Sequence, residues 1–230
     1  MTQAQVIDTE IRPKGKCYII CTEYSRADFC ATIDALCDTA AARGARHIYF
    51  ASRDKRVLQD EMHFETSEYL FKFHTDFDIL TKALAPQEEP HLAVMPLTDN
   101  NAMLYAKIYN RAFRDVPNSS TMDRAEIAHI MEDNSSQAGI FMNDETPCGV
   151  YLIEYGGTPE LAALCIHRPM WGKGLARRAL ATLEDMLYKK GHKRIKLLVA
   201  GLNKTAYSLY TKNGYSFSER ISHWYEAEKK

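Results

Sequence analysis

The sequence predicts a mixed α/β protein in two parts, and three observations support this fold class. Apolar runs of strand length alternate with amphipathic helical stretches along the 230 residues. In the C-terminal half, a glycine-containing turn joins one such run directly to a helix. Two prolines and two acidic residues at 86–90 interrupt the periodic segments, as in a linker. We therefore expect a small βαβ-type module over residues 1–89 and a second domain over residues 90–230.

The N-terminal part contains strand patterns at 16–22, 47–51 and 69–73, with a helical pattern between the first two. That helix is predicted over 25–44, because Ser25 and Asp28 have the spacing of a capping box and Gly44 suits the C-terminal end. No glycine loop occurs in this part. We therefore expect it to pack, to dimerise or to shape a substrate pocket, without a second active site.

The C-terminal part opens with a strand pattern at 91–97, followed by two short amphipathic helices. Thr98 is a candidate cap for the first helix, and the pair Asp123 and Glu126 predicts a capping box for the second. The segment between the two helices, 113–121, is polar. Further strand patterns follow at 139–143, 149–155 and 160–166, with a glycine pair at 156–157 that indicates a hairpin.

The turn that follows the last of these strands is the most informative feature of the chain. Its sequence is Trp171-Gly172-Lys173-Gly174-Leu175-Ala176, and a helical apolar stripe begins at Leu175. A strand–glycine–helix junction directs backbone N–H groups and the positive end of a helix dipole at an anion. The two glycines can take positive φ and let a phosphate approach the main chain closely. Arg168, Arg177 and Arg178 add local positive charge, so a phosphorylated ligand is expected here.

A second motif lies further along, after a strand pattern at 195–199. It consists of Asn203 and a short helix that ends in Leu209-Tyr210, followed by Gly214-Tyr215. Together with the glycine turn, this segment resembles the GNAT superfamily of N-acetyltransferases over roughly residues 90–230. The family's loop has the form Gln/Arg-x-x-Gly-x-Gly/Ala, so Trp171 stands where Gln or Arg is usual. The N-terminal module would then be similar to a degenerate half of the same fold.

The resemblance implies acetyl-CoA as co-substrate and a primary amine, in a small molecule or a peptide, as acceptor. It implies that the cofactor's pantetheine arm lies along the strand before the loop and that the loop binds the diphosphate. The residues so implicated in cofactor binding are Leu164, Cys165, Ile166, Trp171, Gly172, Lys173, Gly174, Leu175, Ala176 and Asn203. With Trp171 in place of Arg, the diphosphate contact would rest on the backbone and Lys173. Segment 113–121 would form one wall of the acceptor pocket.

The resemblance also assigns Tyr210 as the general acid toward the sulfur of CoA. A phenol with a reference pKa near ~10 is protonated at neutral pH and suits this role. Glu160 is the candidate general base, with Glu154 on the neighbouring strand as the other candidate and transfer through water as a third route. Asn203 has two interpretations, a cap of the short helix and a contact to the cofactor arm.

The composition excludes several other classes. A formal net charge of −1 gives no overall bias toward nucleic acid or a membrane surface. The six cysteines lack the spacing of zinc ligands, so we expect reduced thiols and no metal. No signal-peptide pattern or long apolar run occurs, which favours a cytoplasmic location. A homodimer is a further option.

Two other functions stay open at this stage. One is a non-catalytic module that binds acyl-CoA and regulates a partner, and it is kept in view by the unusual Trp171. The other is a Rossmann-type nucleotide-binding domain. The Rossmann alternative is disfavoured because the turn lacks the third glycine and no acidic residue ends a following strand at the required distance.

Overall fold

The computed structural model describes residues 1–53, 62–86, 88, 91–116 and 119–230 and shows a mixed α/β protein. The strands are β1 (Gln3–Ile7), β2 (Lys16–Glu23), β3 (His47–Ser52), β4 (His63–Glu65), β5 (Tyr69–Ala83), β6 (Ala93–Pro96), β7 (Ser136–Asn143), β8 (Thr146–Glu154), β9 (Glu160–Ile166), β10 (Arg194–Ala200) and β11 (Ser216–Lys229). The helices are α1 (Ile11–Lys14), α2 (Phe29–Ala42), α3 (Ala102–Phe113), α4 (Arg124–Glu132), α5 (Leu175–Lys189) and α6 (Lys204–Lys212), with a 3₁₀ turn at Arg168–Met170.

The chain divides into two compact units that are not continuous in sequence. One contains Met1–Asp78, Ala200–Leu202 and Arg220–Lys230, and the other contains Ile79–Val199 and Asn203–Glu219. The division therefore falls inside β5 and inside β11. Of the predicted linker at 86–90, residues 87, 89 and 90 lie outside the described residues. The predicted domain boundary at 89/90 stays a prediction.

In the first unit, β2 and β3 are parallel neighbours with α2 between them in the sequence. β1 pairs with β2, β11 with β3, and β4 with β5, each antiparallel. The core is rich in aromatic rings, and the rings of Phe64 and Phe71 stack with their centres 4.4 Å apart. Burial of these large apolar rings is the main favourable contribution to the stability of the unit.

Two predicted helix caps are wrong. α2 begins at Phe29, and the carboxylate of Asp28 accepts hydrogen bonds from the backbone N–H and the hydroxyl of Thr2 instead of capping the helix. α3 begins at Ala102, and Thr98 does not cap it. The side chain of Asn101 instead accepts from the Thr98 N–H and donates to the Pro96 carbonyl. The contact that engages Asp28 comes from Thr2, which is distant in the sequence. Asn101 instead bonds with residues just before α3, so there the sequence named the wrong residue of a local turn.

The second unit has a sheet in which the strand order is β10-β9-β8-β7-β6, with the end of β5 beside β10. All of the pairs from β9 to β6 are antiparallel, whereas β9 and β10 run parallel. Apolar residues of α5 and α6 pack against one face of this sheet, and those of α3 and α4 belong to a separate cluster. β8 contributes Tyr151 and Ile153 to the first cluster and Val150 and Leu152 to the second, which confirms the predicted alternation.

Within the described residues, no helix combines the length and the apolar character needed to cross a membrane.

β8 and β9 lie very close together at Gly149, which pairs with Ile166. A Cβ atom at this position would lie 2.2 Å from the carbonyl oxygen of Cys165. We expect Gly149→Ala to destabilise the fold by roughly 1–3 kcal/mol, because a backbone strand has to move. The matched control is Gly157→Ala, since a Cβ there would meet no atom within 4 Å. Equal unfolding free energies for the two variants in urea would contradict this account.

Candidate functional site

The central feature of the site is a break in the pairing of β9. Ile153 of β8 pairs with Leu161 of β9, and the preceding residue, Leu152, pairs with Ala163. Ala162 has no partner in β8 and is therefore an extra residue in β9. Such a β-bulge bends the strand and increases its twist. On the other side of β9, the described residues pair with β10 only at Glu160/Lys196 and Leu161/Leu197. The two parallel strands therefore separate at the bulge, and the edge of β9 beyond Leu161 no longer pairs with β10.

The separated part of β9 leads straight to the glycine turn. Gly172 and Gly174 both have positive φ, 78° and 71°, as the sequence predicted. A Cβ on either glycine would meet no atom within 4 Å, so the space above the turn is open. Gly174 is the N-cap of α5, and having no side chain it cannot cap the N–H groups of the first turn. These donors and the positive end of the helix dipole are the features with which such a junction can bind an anion.

Trp171 is fixed in place although its surface is exposed. Its indole Nε1 donates to the carbonyl oxygen of Ile166 at 2.7 Å, which ties the start of the turn to the end of β9. The guanidinium carbon of Arg168 lies 5.8 Å from the ring centre. The residue remains 60% exposed. Lys173, expected to supply charge to the diphosphate, is exposed and lies 3.9 Å from the sulfur of Met170.

Arg178, in the first turn of α5, is a basic residue near the turn with a defined hydrogen bond. It donates to the side-chain oxygen of Asn143 at 3.1 Å, and because Asn143 is a neutral amide this bond does not offset the positive charge of Arg178. Arg178 therefore adds to the positive charge near the turn, together with Arg168, Lys173 and Arg177. Lys196 lies at the opposite end of β9, where it pairs with Glu160 at 2.9 Å.

Tyr210 lies on α6 and is 8% exposed. Burial raises the pKa of its phenol above the usual value, and the nearby Cys165 thiol adds to the shift. The hydroxyl is therefore protonated throughout the physiological pH range. Asn203 caps α6, with its side-chain oxygen accepting from the Ala206 N–H at 3.1 Å, so the capping interpretation is confirmed. A contact of Asn203 with the cofactor stays a prediction.

A buried charged group behind Tyr210 was not predicted from the sequence. The ring of Tyr215 lies 5.6 Å from that of Tyr210, and the Nζ of Lys82 lies 5.7 Å from the Tyr215 ring centre. Lys82 donates to the carboxylate of Glu184 at 2.6 Å, and Glu184 is 1% exposed. Burial raises the pKa of Tyr215, with Glu184 contributing. Since Lys82 and Glu184 lie 102 residues apart, no local signal could have paired them.

Cys165 is the predicted cofactor contact that carries a thiol. Burial raises the pKa of its thiol to about 12. A thiol acts as a nucleophile in its thiolate form, which is scarce at such a pKa. This side chain is therefore unsuited to form an acyl-enzyme, and its main-chain groups are the part of the residue available for binding.

A cleft of about 790 Å³ lies at the opposite end of β9 from the glycine turn. Its lining includes four carboxylates and the bulged residue Ala162. The complete set of lining residues is Tyr109, Ser120, Met122, Glu126, His129, Ile130, Asp133, Ser135, Ser136, Leu152, Glu154, Tyr155, Gly156, Gly157, Thr158, Glu160, Ala162 and Lys196. Of the polar segment 113–121 only Ser120 appears in this lining, and residues 117 and 118 lie outside the described residues.

The two candidate bases lie next to each other in the cleft. Glu154 and Glu160 are cross-strand partners on β8 and β9. Partial burial raises the pKa of Glu154, and the charge of Glu160 adds to this shift. The carboxylate of Glu160 is also paired with Lys196. The sequence named both residues, but it could not show that they share a cleft with Glu126 and Asp133 of the α4 region.

Among the described residues, no group of three or more His, Cys, Asp and Glu side chains is arranged to hold a metal ion.

Residues 104–215 match the sequence model of the acetyltransferase (GNAT) family. No curated protein matches the chain by sequence. A GCN5-related N-acetyltransferase from Sphaerobacter thermophilus has a TM-score of 0.64 at 12% identity, covering 99% of this chain and 76% of its own. A functionally unknown conserved protein from Staphylococcus epidermidis ATCC 12228 has a TM-score of 0.60 at 13% identity, covering 91% and 83%. A GCN5-related N-acetyltransferase from Kribbella flavida has a TM-score of 0.56 at 13% identity, covering 93% and 81%. The predicted fold class is thereby confirmed.

The protonation state of the Cys165 thiol can be tested by alkylation of the native protein. With a pKa of about 12, its thiolate fraction at pH 8 is on the order of 10⁻⁴. We expect iodoacetamide to modify Cys165 at least roughly a hundredfold more slowly than the exposed Cys30. Peptide mass spectrometry at several time points measures both rates in one sample. Comparable rates at the two cysteines would contradict the burial argument.

Proposed function

We propose that this protein, whose residues 104–215 match the sequence model of the acetyltransferase (GNAT) family, transfers the acetyl group of acetyl-CoA directly to a primary amine. The observation that carries this proposal is the separation of β9 from β10 at a bulge, on the strand that ends at the glycine turn. An extended ligand arm with amide groups can add to such a strand edge as a further strand would.

The cofactor residues follow from this arrangement. The main-chain groups of Leu164, Cys165 and Ile166 would bind the pantetheine amides along the edge of β9. The sequence assigned the diphosphate to the turn from Trp171 to Ala176. The backbone N–H of Trp171 already donates to the Arg168 carbonyl, so the N–H groups after it, from Gly172 to Ala176, would bind the diphosphate. The positive φ of both glycines and the uncapped start of α5 suit this role. Asn203, which already caps α6, would contact the arm from the opposite side.

The chemical step needs one proton removed and one supplied. The neutral amine nitrogen attacks the thioester carbonyl, the C–N bond forms, and the C–S bond breaks with its electron pair on sulfur. Tyr210 would donate its proton to that sulfur, so that CoA leaves as a thiol. The raised pKa of the phenol keeps the proton available before the step. Because Cys165 is unsuited as a nucleophile, we propose direct attack without an acyl-enzyme.

The acceptor amine would enter through the carboxylate-lined cleft. Its lining contains four carboxylates but one lysine and one histidine, so acidic groups outnumber basic ones and favour a cationic ammonium group. Glu160 lies five residues before Cys165, a distance of about 16 Å along an extended strand. The proton of the ammonium group would therefore travel through water in the cleft before it reaches Glu160 or its neighbour Glu154. Glu160 acts in this proposal as a base at the end of a water path.

The first test measures turnover with a panel of amines, and the readout is the amount of CoA thiol released. We expect the parent to release thiol with at least one amine and Tyr210→Phe to lower kcat at least roughly tenfold, with CoA affinity nearly unchanged. Tyr207→Phe, on the same helix, is the matched control. If Tyr210→Phe turns over as fast as the parent, Tyr210 is not the general acid. Binding of acetyl-CoA without turnover across the panel would favour the non-catalytic acyl-CoA-binding alternative.

The carboxylate pair is tested with Glu154→Gln, Glu160→Gln and the double variant. A carboxylate acts as a base only in its deprotonated form, so activity falls as the pH is lowered through its pKa. Because the pKa of Glu154 is raised, the parent should lose activity at a higher pH than an enzyme with an ordinary glutamate as base. We expect the double variant to lower kcat/KM at least roughly tenfold and to remove this acidic limb of the pH profile.

Glu145→Gln, at an exposed turn between β7 and β8, is the control for loss of a carboxylate. If Glu160→Gln alone keeps the rate and pH profile of the parent, Glu160 is eliminated as base and Glu154 remains. If the double variant also keeps both, the carboxylate route is wrong.

A further inference from the structure

Trp171 is an unusual residue to find exposed at a ligand-binding turn. It is 60% exposed, whereas the other tryptophan of the chain, Trp224, is 5% exposed. An indole gains most of its stabilising free energy from burial, so an exposed one beside a binding turn is a candidate contact for a ligand. In the family pattern the same position carries Gln or Arg, so this chain has an aromatic plane where a polar or charged group is usual.

The indole is held in a fixed orientation. Its Nε1 donates to the Ile166 carbonyl oxygen at 2.7 Å, and its backbone N–H donates to the Arg168 carbonyl at 3.1 Å. The Arg168 guanidinium carbon lies 5.8 Å from the ring centre. A ring fixed in this way loses little conformational entropy when a planar ligand stacks on it. Arg168 also brings a positive charge next to the ring.

The position of Trp171 along the site indicates which part of a ligand it would meet. The edge of β9 ends at Ile166, and the turn that suits a diphosphate begins directly after Trp171. In CoA the diphosphate separates the pantetheine arm from adenosine 3′-phosphate. With the arm along β9 and the diphosphate on the turn, the nucleotide end extends toward the exposed surface of the turn. An exposed ring and an exposed guanidinium complement an adenine base and a phosphate.

We propose that Trp171 is the stacking surface for the adenine ring of CoA, with Arg168 placed beside the 3′-phosphate. The aromatic contact would supply binding free energy that the family obtains from a Gln or Arg at this position. This inference rests on the proposed function, because it requires the diphosphate to bind at the turn.

The test is isothermal titration calorimetry of the full chain with CoA and with 4′-phosphopantetheine, which lacks the nucleotide. Stacking of a base on an aromatic ring makes a large contribution, so Trp171→Ala should weaken CoA binding by about tenfold. The same substitution should leave the affinity for 4′-phosphopantetheine unchanged. Trp171→Phe, which keeps a ring, should recover most of the CoA affinity. Phe217→Ala, which removes another exposed aromatic ring, is the control and should match the parent.

A fluorescence measurement gives a second readout that does not depend on the stability of a Trp171 variant. In Trp224→Phe, Trp171 is the sole tryptophan. Adenosine 3′,5′-diphosphate should quench its emission, whereas inorganic phosphate at the same concentration should not. Arg168→Ala should weaken CoA binding more than it weakens binding of dephospho-CoA.

The two hypotheses fail in different ways. If the parent shows no heat of binding with CoA, the proposed function fails and the stacking inference fails with it. If the parent binds CoA but Trp171→Ala loses no affinity, or loses as much toward 4′-phosphopantetheine, only the stacking inference is overturned. Unchanged fluorescence on addition of adenosine 3′,5′-diphosphate would also overturn it.

Discussion

A strand that stops pairing with its neighbour leaves main-chain N–H and C=O groups that need another partner, and the proposed site depends on this constraint. In β9 the cause is one extra residue, Ala162, which bends the strand directly after its last pair with β10. Unpaired backbone groups away from water are costly. A ligand that carries its own amides can satisfy them, and this makes the edge of β9 suitable for a pantetheine arm.

The glycine turn likewise provides main-chain N–H groups, which would bind the phosphate groups of the cofactor. Gly172 and Gly174 adopt a backbone conformation in which side chains are strained, and α5 begins without a side-chain cap. In the proposed site the main-chain donors of the turn would bind the phosphates, and Arg178, held by its bond to Asn143, would add positive charge beside them. Behind the site, the buried pair of Lys82 and Glu184 joins β5 to α5 and packs beside Tyr215. Removing one partner of such a buried pair would leave an uncompensated charge, so both partners are held together. Lys82 contacts the ring of Tyr215, and Tyr215 contacts the ring of Tyr210, so the pair supports the position of both rings.

Features determined by neighbouring residues were predictable from the sequence. The bounds of β9, the positive φ of the two glycines, and the caps Asp123 and Asn203 all follow from local patterns, and the structure confirms them. Features that need distant residues were not predictable. The apolar alternation of β11 is interrupted by charged and polar residues, so its 14 residues gave no strand pattern. The strand at 69–73 extends to Ala83 because its second half pairs within the sheet.

The candidate site shows the same division. Local motifs identified the turn, the strand before it and Tyr210, because backbone conformation and helix spacing are encoded within a few residues. The bulge at Ala162, the separation of β9 from β10 and the cleft around Glu154 depend on register between strands, which composition and spacing do not reveal. Trp171 was recognised as a departure from the family pattern, but its bond to Ile166 and its exposure required the fold.

The most direct measurement is a crystal structure of the protein in complex with CoA. The account predicts density for the pantetheine arm between β9 and β10, with its amides bonded to main-chain groups of residues 164–166 and the diphosphate on the N–H groups of the turn. Density for CoA at any other surface, or a β9 edge that pairs with β10 along its full length, would contradict it.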